Sequence, residues 1–505
     1  LNWVENMKMP IETALKTGKI VEGTICYTGD ITDPNETKYT LDYYVKKAKE
    51  LESLGVHIFT IKDMAGLVKP YAAKKLISAL KEELNIPVNL HTHDSTGNGV
   101  STLLMASEAG LDIADCAIGS MSSMTSNPCM NSLVEALKGT ERDTGLNPDE
   151  LTELSQYYAR IRPIYKQFES GMDAPNTEIY KYEIPGGQYS NLLAQVKEMG
   201  AAEDFEEIKG LYKDANQLLG NIVKVTPSSK VVGDFAIFMF KNGLTKENIL
   251  EVGKDLSYPD SVVEYFEGMI GQPEGGFPEE LQKIVLKDKK PIDVRPGSLL
   301  PDEDFDYIAK GLKENFYTEN MEDPDILSQK TLSYALYPKV YEDYCRHFEA
   351  YNDVTGLESH VYFYGLRKGE ETTLKLDEGK YLIIKFIDMT EPDEDGYRLL
   401  DFEVNGSIRE IKVLDKNLEV KTDRRVKADK SNPAHLGSTI PGTVGKVLVN
   451  EGDEVTVNMP LMTVEAMKME TTVVSTVNGK VDKIYVKEGE QVNQEDLLIS
   501  FEIDE

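Results

Sequence analysis

Three side chains near the start of the sequence have the types and spacing of metal ligands. His91 and His93 stand two positions apart in HTHD (91–94), and residues two apart on a strand point to one face of the sheet. Lys62, in TIKDMAG (60–66), ends the preceding predicted strand. A lysine there loses its proton more easily than in water, and a neutral amine with CO₂ forms a carbamate that can bind a metal. From spacing alone, both a metal site and structural histidines beside a salt-bridged lysine fit.

A second lysine is framed by two methionines. Lys468 lies in EAMKME (465–470), between two copies of one pattern, GTVGKVLVNEGDEV (442–455) and GKVDKIYVKEGEQV (479–492). Two similar β units predict a sandwich with an approximate twofold axis, and a tight hairpin would present Lys468 at one end of it. The alternative is an amphipathic strand whose methionines belong to an ordinary core.

Strands and helices alternate in the part of the chain that must position Lys62 and the histidines. Four apolar runs are predicted as buried strands, and three segments with apolar residues at helical spacing lie between them. This alternation is typical of a parallel barrel or a doubly wound sheet. The four runs are IVEGTICYTG (20–29), VHIFTIKDMAG (56–66), IPVNLHTHD (86–94) and LDIADCAIGSM (111–121).

The charge balance limits the classes of partner. The chain has 505 residues with 87 acidic and 55 basic side chains, a formal net charge of −32. Such a surface repels phosphate backbones and anionic lipids, so we expect neither nucleic acid nor a membrane as partner. The apolar runs are too short to cross a bilayer. Four scattered cysteines without a CxxC pair predict free thiols in a reducing, cytoplasmic compartment.

The Ala-Met-Lys-Met frame inside a glycine-containing β repeat resembles the biotinyl carrier domains. The resemblance implies a hammerhead β-sandwich and covalent biotin on Lys468, attached by a biotin protein ligase. The related lipoyl domains lack the two methionines around the lysine.

Several motifs of the first half resemble the carboxyltransferase domains of the pyruvate carboxylase family, and the similarity covers essentially the whole chain. The motifs are GTICYTGD, IKDMAGL, HTHD, ESGM, EIPGGQYSN and VKVTPSSKVVGD. The resemblance implies a TIM-type barrel of which only the second half is present. It also implies a zinc or manganese ion held by His91, His93 and carbamylated Lys62, with an aspartate from a strand that precedes this chain.

The same resemblance implies roles for three further polar residues. Thr226, in KVTPSSK, matches the family's catalytic threonine, which relays a proton between pyruvate and biotin. Gln188 and Lys230 match polar positions of the biotin pocket. Without the resemblance, Thr226 would be read as a helix N-cap or turn hydroxyl.

The implied reaction is carboxyl transfer from carboxybiotin to pyruvate, giving oxaloacetate, within an ATP-dependent, anaplerotic homotetramer whose ATP site precedes Leu1. The alternatives are the α subunit of a biotin-dependent oxaloacetate decarboxylase, a transcarboxylase, or a passive biotin carrier. The effector, acetyl-CoA or a nucleotide, stays open.

We therefore expect a multidomain chain. The predicted parts are a carboxyltransferase domain at 1–345 (half-barrel to about 140, then helical), an allosteric and tetramerisation β segment at 346–425, a linker at 426–436 and a carrier domain at 437–505. Within the β segment, period-two alternation predicts four short strands, HVYFYGL, KYLIIKFIDM, YRLLDFEVNG and IREIKVLD.

Overall fold

The structure, a computed structural model, divides the chain into two compact units. One comprises 1–299 with 425–505, and the other comprises 300–424. The residues described are 1–169, 171–316, 318, 320–393, 395–415, 426–429, 432–466 and 469–503. Among them, no helix is both long and apolar enough to cross a membrane.

The first unit begins with a four-stranded parallel sheet in the order β1-β2-β3-β4. Its elements are α1 (Val4–Lys16), β1 (Glu22–Cys26), α2 (Leu41–Ser53), β2 (Ile58–Asp63), α3 (Pro70–Glu83), β3 (Val88–Thr92), α4 (Gly99–Glu108), β4 (Ile113–Ala114) and α5 (Met130–Leu137). The predicted strands and helices are confirmed, with β4 much shorter than expected. After β4 the chain turns, and Ala117 bridges to Cys129.

The helices cover one face of this sheet. Phe59, Ile61 and Leu90 are fully buried there, and each such side chain contributes about 1.5–3 kcal/mol by leaving water. Because side chains alternate along a strand, Lys62 and His91 lie on the opposite face. The apolar residues of the sheet thus fix the face on which the polar side chains stand.

A helical part follows, as predicted, and its core lies mainly between α8, α9, α10 and α12. The elements are α6 (Pro148–Ile161), α7 (Ile179–Tyr182), α8 (Gly186–Glu198), α9 (Phe205–Leu218), α10 (Ser228–Lys241), α11 (Ile249–Val252), α12 (Asp260–Glu267) and α13 (Glu279–Leu286).

The described residues of the second unit form four helices and an antiparallel sheet in the order β5-β6-β7-β8. Its elements are α14 (Phe305–Asn315), α15 (Pro324–Leu336), α16 (Pro338–Tyr351), α17 (Ser359–Tyr364), β5 (Glu371–Asp377), β6 (Lys380–Met389), β7 (Tyr397–Val404) and β8 (Ser407–Leu414). The expectation of an all-β segment from 346 is wrong at its start. HVYFYGL (360–366), predicted as a strand, lies largely in α17, which ends at left-handed Gly365 (φ 69°), and β5 was not predicted.

The C-terminal part is a sandwich of two four-stranded sheets, β13-β12-β10-β15 and β11-β14-β16-β9. Its strands are β9 (His435–Gly437), β10 (Gly442–Val447), β11 (Glu454–Val455), β12 (Pro460–Ala466), β13 (Met469–Val474), β14 (Gly479–Ile484), β15 (Gln491–Val492) and β16 (Leu497–Ile503).

The predicted twofold repeat appears in the hydrogen bonds of the sandwich. Val447 N–H donates to Glu488 and Ile484 N–H donates to Glu451, at 3.0 and 3.1 Å. Each repeat therefore supplies a glutamate carboxylate that accepts a hydrogen bond from a backbone N–H group of the other repeat.

The predicted linker, 426–436, differs from the structure at both ends. Lys427 Nζ lies 2.8 Å from Asp496 Oδ1, Ala428 N–H donates to the Glu495 carbonyl, and His435 begins β9. These backbone and charge contacts attach the segment to the sandwich, so its described ends do not behave as a free linker.

Candidate functional site

His91 and His93 project from the carboxyl end of β3 with near-perpendicular rings whose centroids are 5.5 Å apart. His91 Nδ1 lies 2.8 Å from Asp115 Oδ2, just beyond β4. His93 Nδ1 lies 2.7 Å from the Thr125 carbonyl oxygen. Both acceptors require a proton on Nδ1, which leaves each Nε2 with a free lone pair. Metal-binding histidines in proteins are held in this way.

The backbone at two glycines packs closely against His93. A Cβ at Gly66 would lie 2.7 Å from the His93 carbonyl oxygen, and one at Gly186 would lie 3.3 Å from His93 Nδ1. Gly66 also has φ +73°, which favours glycine. Burial lowers the pKa of His93, and the charges of His91 and Lys62 lower it further, against the hydrogen bond to Thr125. The neutral imidazole favoured at neutral pH is the form that binds metals.

Lys62 stands beside His91 on the neighbouring strand. The register of β2 on β3 places Lys62 opposite His91, and that of β1 on β2 places Cys26 opposite Lys62. Among the described residues, the Lys62 amine has no ion-pair or hydrogen-bond partner, so the salt-bridge alternative is not what the structure shows. An amine next to two oriented imidazoles fits a divalent cation that takes nitrogen ligands and a carbamate oxygen.

The acidic neighbour of Lys62 has a structural role. Asp63 is 0% exposed and accepts hydrogen bonds from Leu67 N, Val68 N and Thr92 Oγ1 at 2.8–2.9 Å. Burial raises its pKa despite these hydrogen bonds. Within the described residues, no three His, Cys, Asp or Glu side chains form a complete metal centre.

Thr226 lies in an exposed position just before α10. The preceding loop is braced by Ser228, whose hydroxyl donates to the Val223 carbonyl at 2.6 Å and lies 3.2 Å from Val225 N. The N-cap position of α10 is Pro227, so the alternative of Thr226 as the helix N-cap is not what the structure shows.

Gln188 and Lys230 lie on two helices of the same unit. Gln188 is 8% exposed in the first turn of α8, and a Cβ on Gly233 of α10 would lie 2.4 Å from its Nε2. Lys230 is exposed in the first turn of α10. Gln188 therefore touches α10 one turn from Lys230.

Lys468, the predicted biotin site, lies outside the described residues. The strands around it are described. β12 and β13 pair antiparallel, with Ala466 opposite Met469 and Glu465 opposite Glu470.

Asp115 and Thr125 are site residues that the sequence reasoning missed. Asp115 lies inside the fourth predicted run, LDIADCAIGSM (111–121), and an acidic residue there, on the same predicted sheet as the histidines, is a signal that could have suggested it. Thr125 acts through its backbone carbonyl, for which the sequence carries no side-chain signal.

Comparison with known proteins agrees with this architecture. The sequence matches the family descriptions "HMGL-like" at 15–157, "Conserved carboxylase domain" at 179–385 and "Biotin-requiring enzyme" at 433–501. A carboxylase domain and a biotin-requiring domain on one chain match the domain set of the biotin-dependent carboxylases.

Individual relatives indicate which family within this class the chain resembles. The chain is 48% identical over 502 residues to pyruvate carboxylase from Bacillus subtilis, covering 99% of this chain and 43% of the relative. It resembles the complete multifunctional pyruvate carboxylase of Rhizobium etli with a TM-score of 0.76 at 40% identity, over 99% of this chain and 46% of that one. The carboxyl transferase domain of the Rhizobium etli enzyme with pyruvate gives a TM-score of 0.77 at 43% identity, over 82% and 69% of the two chains. The chain belongs to the pyruvate carboxylase family, and it spans less than half the length of the first two relatives.

Proposed function

We propose that this chain transfers a carboxyl group from biotin to pyruvate and so forms oxaloacetate. The observation that carries the proposal is the pair of histidines with both Nδ1 atoms occupied, beside a Lys62 amine without a partner among the described residues, in a chain with a biotin-requiring domain. A passive carrier would need no such arrangement.

His91, His93 and carbamylated Lys62 are the residues that would hold a divalent zinc or manganese ion. When bound, the ion supplies positive charge that polarises nearby oxygens and organises the site. Asp115 and the Thr125 carbonyl hold the two imidazoles in the tautomer that presents Nε2. The chain thus supplies two oriented nitrogen ligands and the amine that captures CO₂.

Thr226 is the proposed proton carrier. Its hydroxyl accepts the proton that leaves the pyruvate methyl group and donates its own proton to the biotin ring nitrogen from which the carboxyl group departs. The new carbon–carbon bond forms between that methyl carbon and the released CO₂. Gln188 and Lys230, one turn apart across α8 and α10, are proposed to line the biotin pocket.

Lys468 is the proposed attachment site of biotin, with a biotin protein ligase as partner. Support comes from the Met-Lys-Met frame and from the match of 433–501 to the biotin-requiring family. Tethering gives the cofactor a high effective concentration at the site, so weak docking of the carrier is sufficient.

The proposal also covers the ATP-dependent step, the oligomeric state and the cellular compartment. ATP-dependent carboxylation of biotin at a separate site and a homotetramer are proposed from the pyruvate carboxylase relatives. A cytoplasmic setting is supported by the four cysteines, which are free thiols. The proposed division keeps 346–425 as the allosteric and tetramerisation segment.

Replacement of Thr226 by alanine tests the proposal. In the holoenzyme, Thr226→Ala should lower oxaloacetate formation from pyruvate, bicarbonate and ATP by about 10²–10⁴-fold, the range for acid–base assistance. Metal and biotin contents should equal those of the wild type, because the exposed hydroxyl supports no core contact. Near-normal carboxylation by this variant would refute the role of Thr226.

A further inference from the structure

An ion pair between a buried lysine and a partly exposed glutamate lies next to the candidate site and has no assigned role. The Lys224 side chain is 1% exposed. Its Nζ lies 2.7 Å from Glu183 Oε2 and donates to Thr28 Oγ1 at 3.2 Å. A buried ammonium group is strongly unfavourable unless it is paired and hydrogen-bonded, so the position of Lys224 depends on these two partners.

The ion pair joins three segments of the proposed site. Thr28 follows β1 by two residues, so it lies at the carboxyl edge of the sheet that also carries Lys62 and the histidines. Lys224 precedes Thr226 by two residues. The loop before α10 is therefore tied to the sheet edge through a side chain of its own.

Glu183 connects the pair to the surroundings of His93. Three residues later, Gly186 N–H donates to the Met64 carbonyl at 3.1 Å, and Gly186 packs against His93. Glu183 itself adopts a left-handed backbone conformation with φ 55°, which is uncommon for a residue with a side chain. Such a conformation persists only where the surroundings fix it, and here the carboxylate is fixed by Lys224.

The lowered pKa of Glu183 supports an ion pair with Lys224 that persists at neutral pH. Burial would raise the pKa of Glu183, but the charge of Lys224 and hydrogen bonds from Lys224 and Thr28 lower it below its ordinary value. Glu183 is thus ionised at neutral pH.

Hydrogen bonds to Ser228 brace the loop that holds Lys224 and Thr226. Ser228 is fully buried, and its hydroxyl oxygen lies 2.6 Å from both the Val223 and the Val225 carbonyl oxygens, which share its one proton. A displacement of Lys224 would therefore carry Thr226 with it.

We propose that the Lys224–Glu183 pair is a positioning device that sets the Thr226 hydroxyl at the carboxyl edge of the sheet. The proposal rests on the proposed function of Thr226. Lys224 and Glu183 contact neither substrate nor cofactor in this scheme and act only through the loop.

The first test is Lys224→Met in the holoenzyme, which keeps the approximate volume and removes the charge. A misplacement of the order of 1 Å lowers turnover by about 10²-fold, so we expect a fall of that size in kcat, with a smaller change in KM for pyruvate. Metal and biotin contents should stay at wild-type values. Glu183→Gln, which keeps the size of its side chain, should give the same pattern and serves if Lys224→Met does not fold.

A double variant separates positioning from mere stability. Replacement of both partners of a buried pair by apolar residues commonly restores stability, so Lys224→Met with Glu183→Leu should recover thermal stability while kcat stays low. The control is Lys47→Met. The Lys47 side chain is 15% exposed and its Nζ lies 3.6 Å from Glu274 Oε2, but it belongs to α2 rather than to the segments that hold Glu183 and Thr226. This control should lose stability and keep kcat.

The outcomes distinguish the two proposals. If Thr226→Ala is inactive while the double variant recovers both stability and kcat, the pair is only stabilising and the positioning role is overturned. If Thr226→Ala is fully active, the proposed function of Thr226 fails and the positioning role falls with it. Low kcat in the stable double variant, with an active Lys47→Met control, supports positioning.

Discussion

Removal of the Asp115 carboxylate is predicted to weaken metal binding without removing any metal ligand. Asp115 Oδ2 holds His91 Nδ1 at 2.8 Å, and the two side chains are 40% and 27% exposed. Loss of such a partner typically lowers metal affinity about 10- to 100-fold, which corresponds to about 1.4–2.7 kcal/mol. Because the pair is partly exposed, water can replace the carboxylate in Asp115→Ala, and we expect the lower half of this range. Asp115→Asn keeps an oxygen acceptor and should lose less.

The assay is equilibrium dialysis of the holoenzyme against graded concentrations of a chelator, followed by metal analysis, with melting temperatures measured in parallel. Asp112→Asn is the matched control, since Asp112 belongs to the same segment but binds Lys81 Nζ at 2.7 Å and no histidine. It should keep wild-type metal affinity. Wild-type metal affinity in Asp115→Ala, together with loss of the metal in His91→Ala, would refute the proposed role of Asp115.

Two further variants test other parts of the proposal, and a third tests the buried carboxyl group of Asp234 on α10. Lys468→Arg should abolish the streptavidin signal of the wild type and leave the melting temperature unchanged, whereas a surviving signal would place biotin elsewhere. Lys62→Arg should lose most bound metal by metal analysis, because a guanidinium stays protonated and cannot form a carbamate. Burial raises the pKa of Asp234 to about 6, so the native state loses stability as the pH rises from about 4 through 6. Asp234→Asn keeps an acceptor for the Ser261 hydroxyl. Above this pH range it should raise the free energy of unfolding by about 3 kcal/mol, because it removes the cost of a buried carboxylate charge. Its melting temperature should exceed that of the wild type at about pH 8 and match it near pH 4, whereas equal values at both pH values would contradict the raised pKa.

The sheet of the half-barrel was predictable because its strands are buried apolar runs separated by helical periods. β5 was not predicted, since ETTLKLD (371–377) is polar and largely exposed. HVYFYGL was misassigned because its aromatic and β-branched residues favour strands, although Gly365 instead ends a short helix there. Secondary-structure prediction from local composition therefore failed where the residues are only partly buried.

The supporting contacts of the proposed metal site could not be predicted from local spacing. Asp115 and Thr125 follow their histidines by 24 and 32 residues, and the fold brings each pair together. Two consecutive non-glycine residues in left-handed conformation, Ser123 (φ 72°) and Met124 (φ 55°), lead to the Thr125 carbonyl. No propensity rule assigns that conformation to serine and methionine.

The neighbours Lys62 and Asp63 show how strand parity decides which side chain is available for chemistry. In water the carboxylate of Asp63 is the better metal ligand, and sequence alone gives it no disadvantage. On β2 the two side chains point to opposite faces. Asp63 is turned toward the helices, where the backbone N–H groups of Leu67 and Val68 occupy its oxygens, while Lys62 lies opposite His91. A shift of β2 by one residue would exchange the two, and it would also expose Phe59 and Ile61, which are fully buried. The apolar residues of the strand therefore hold the lysine in the proposed site, and a carbamate on that lysine would supply the carboxylate oxygens that Asp63 cannot offer.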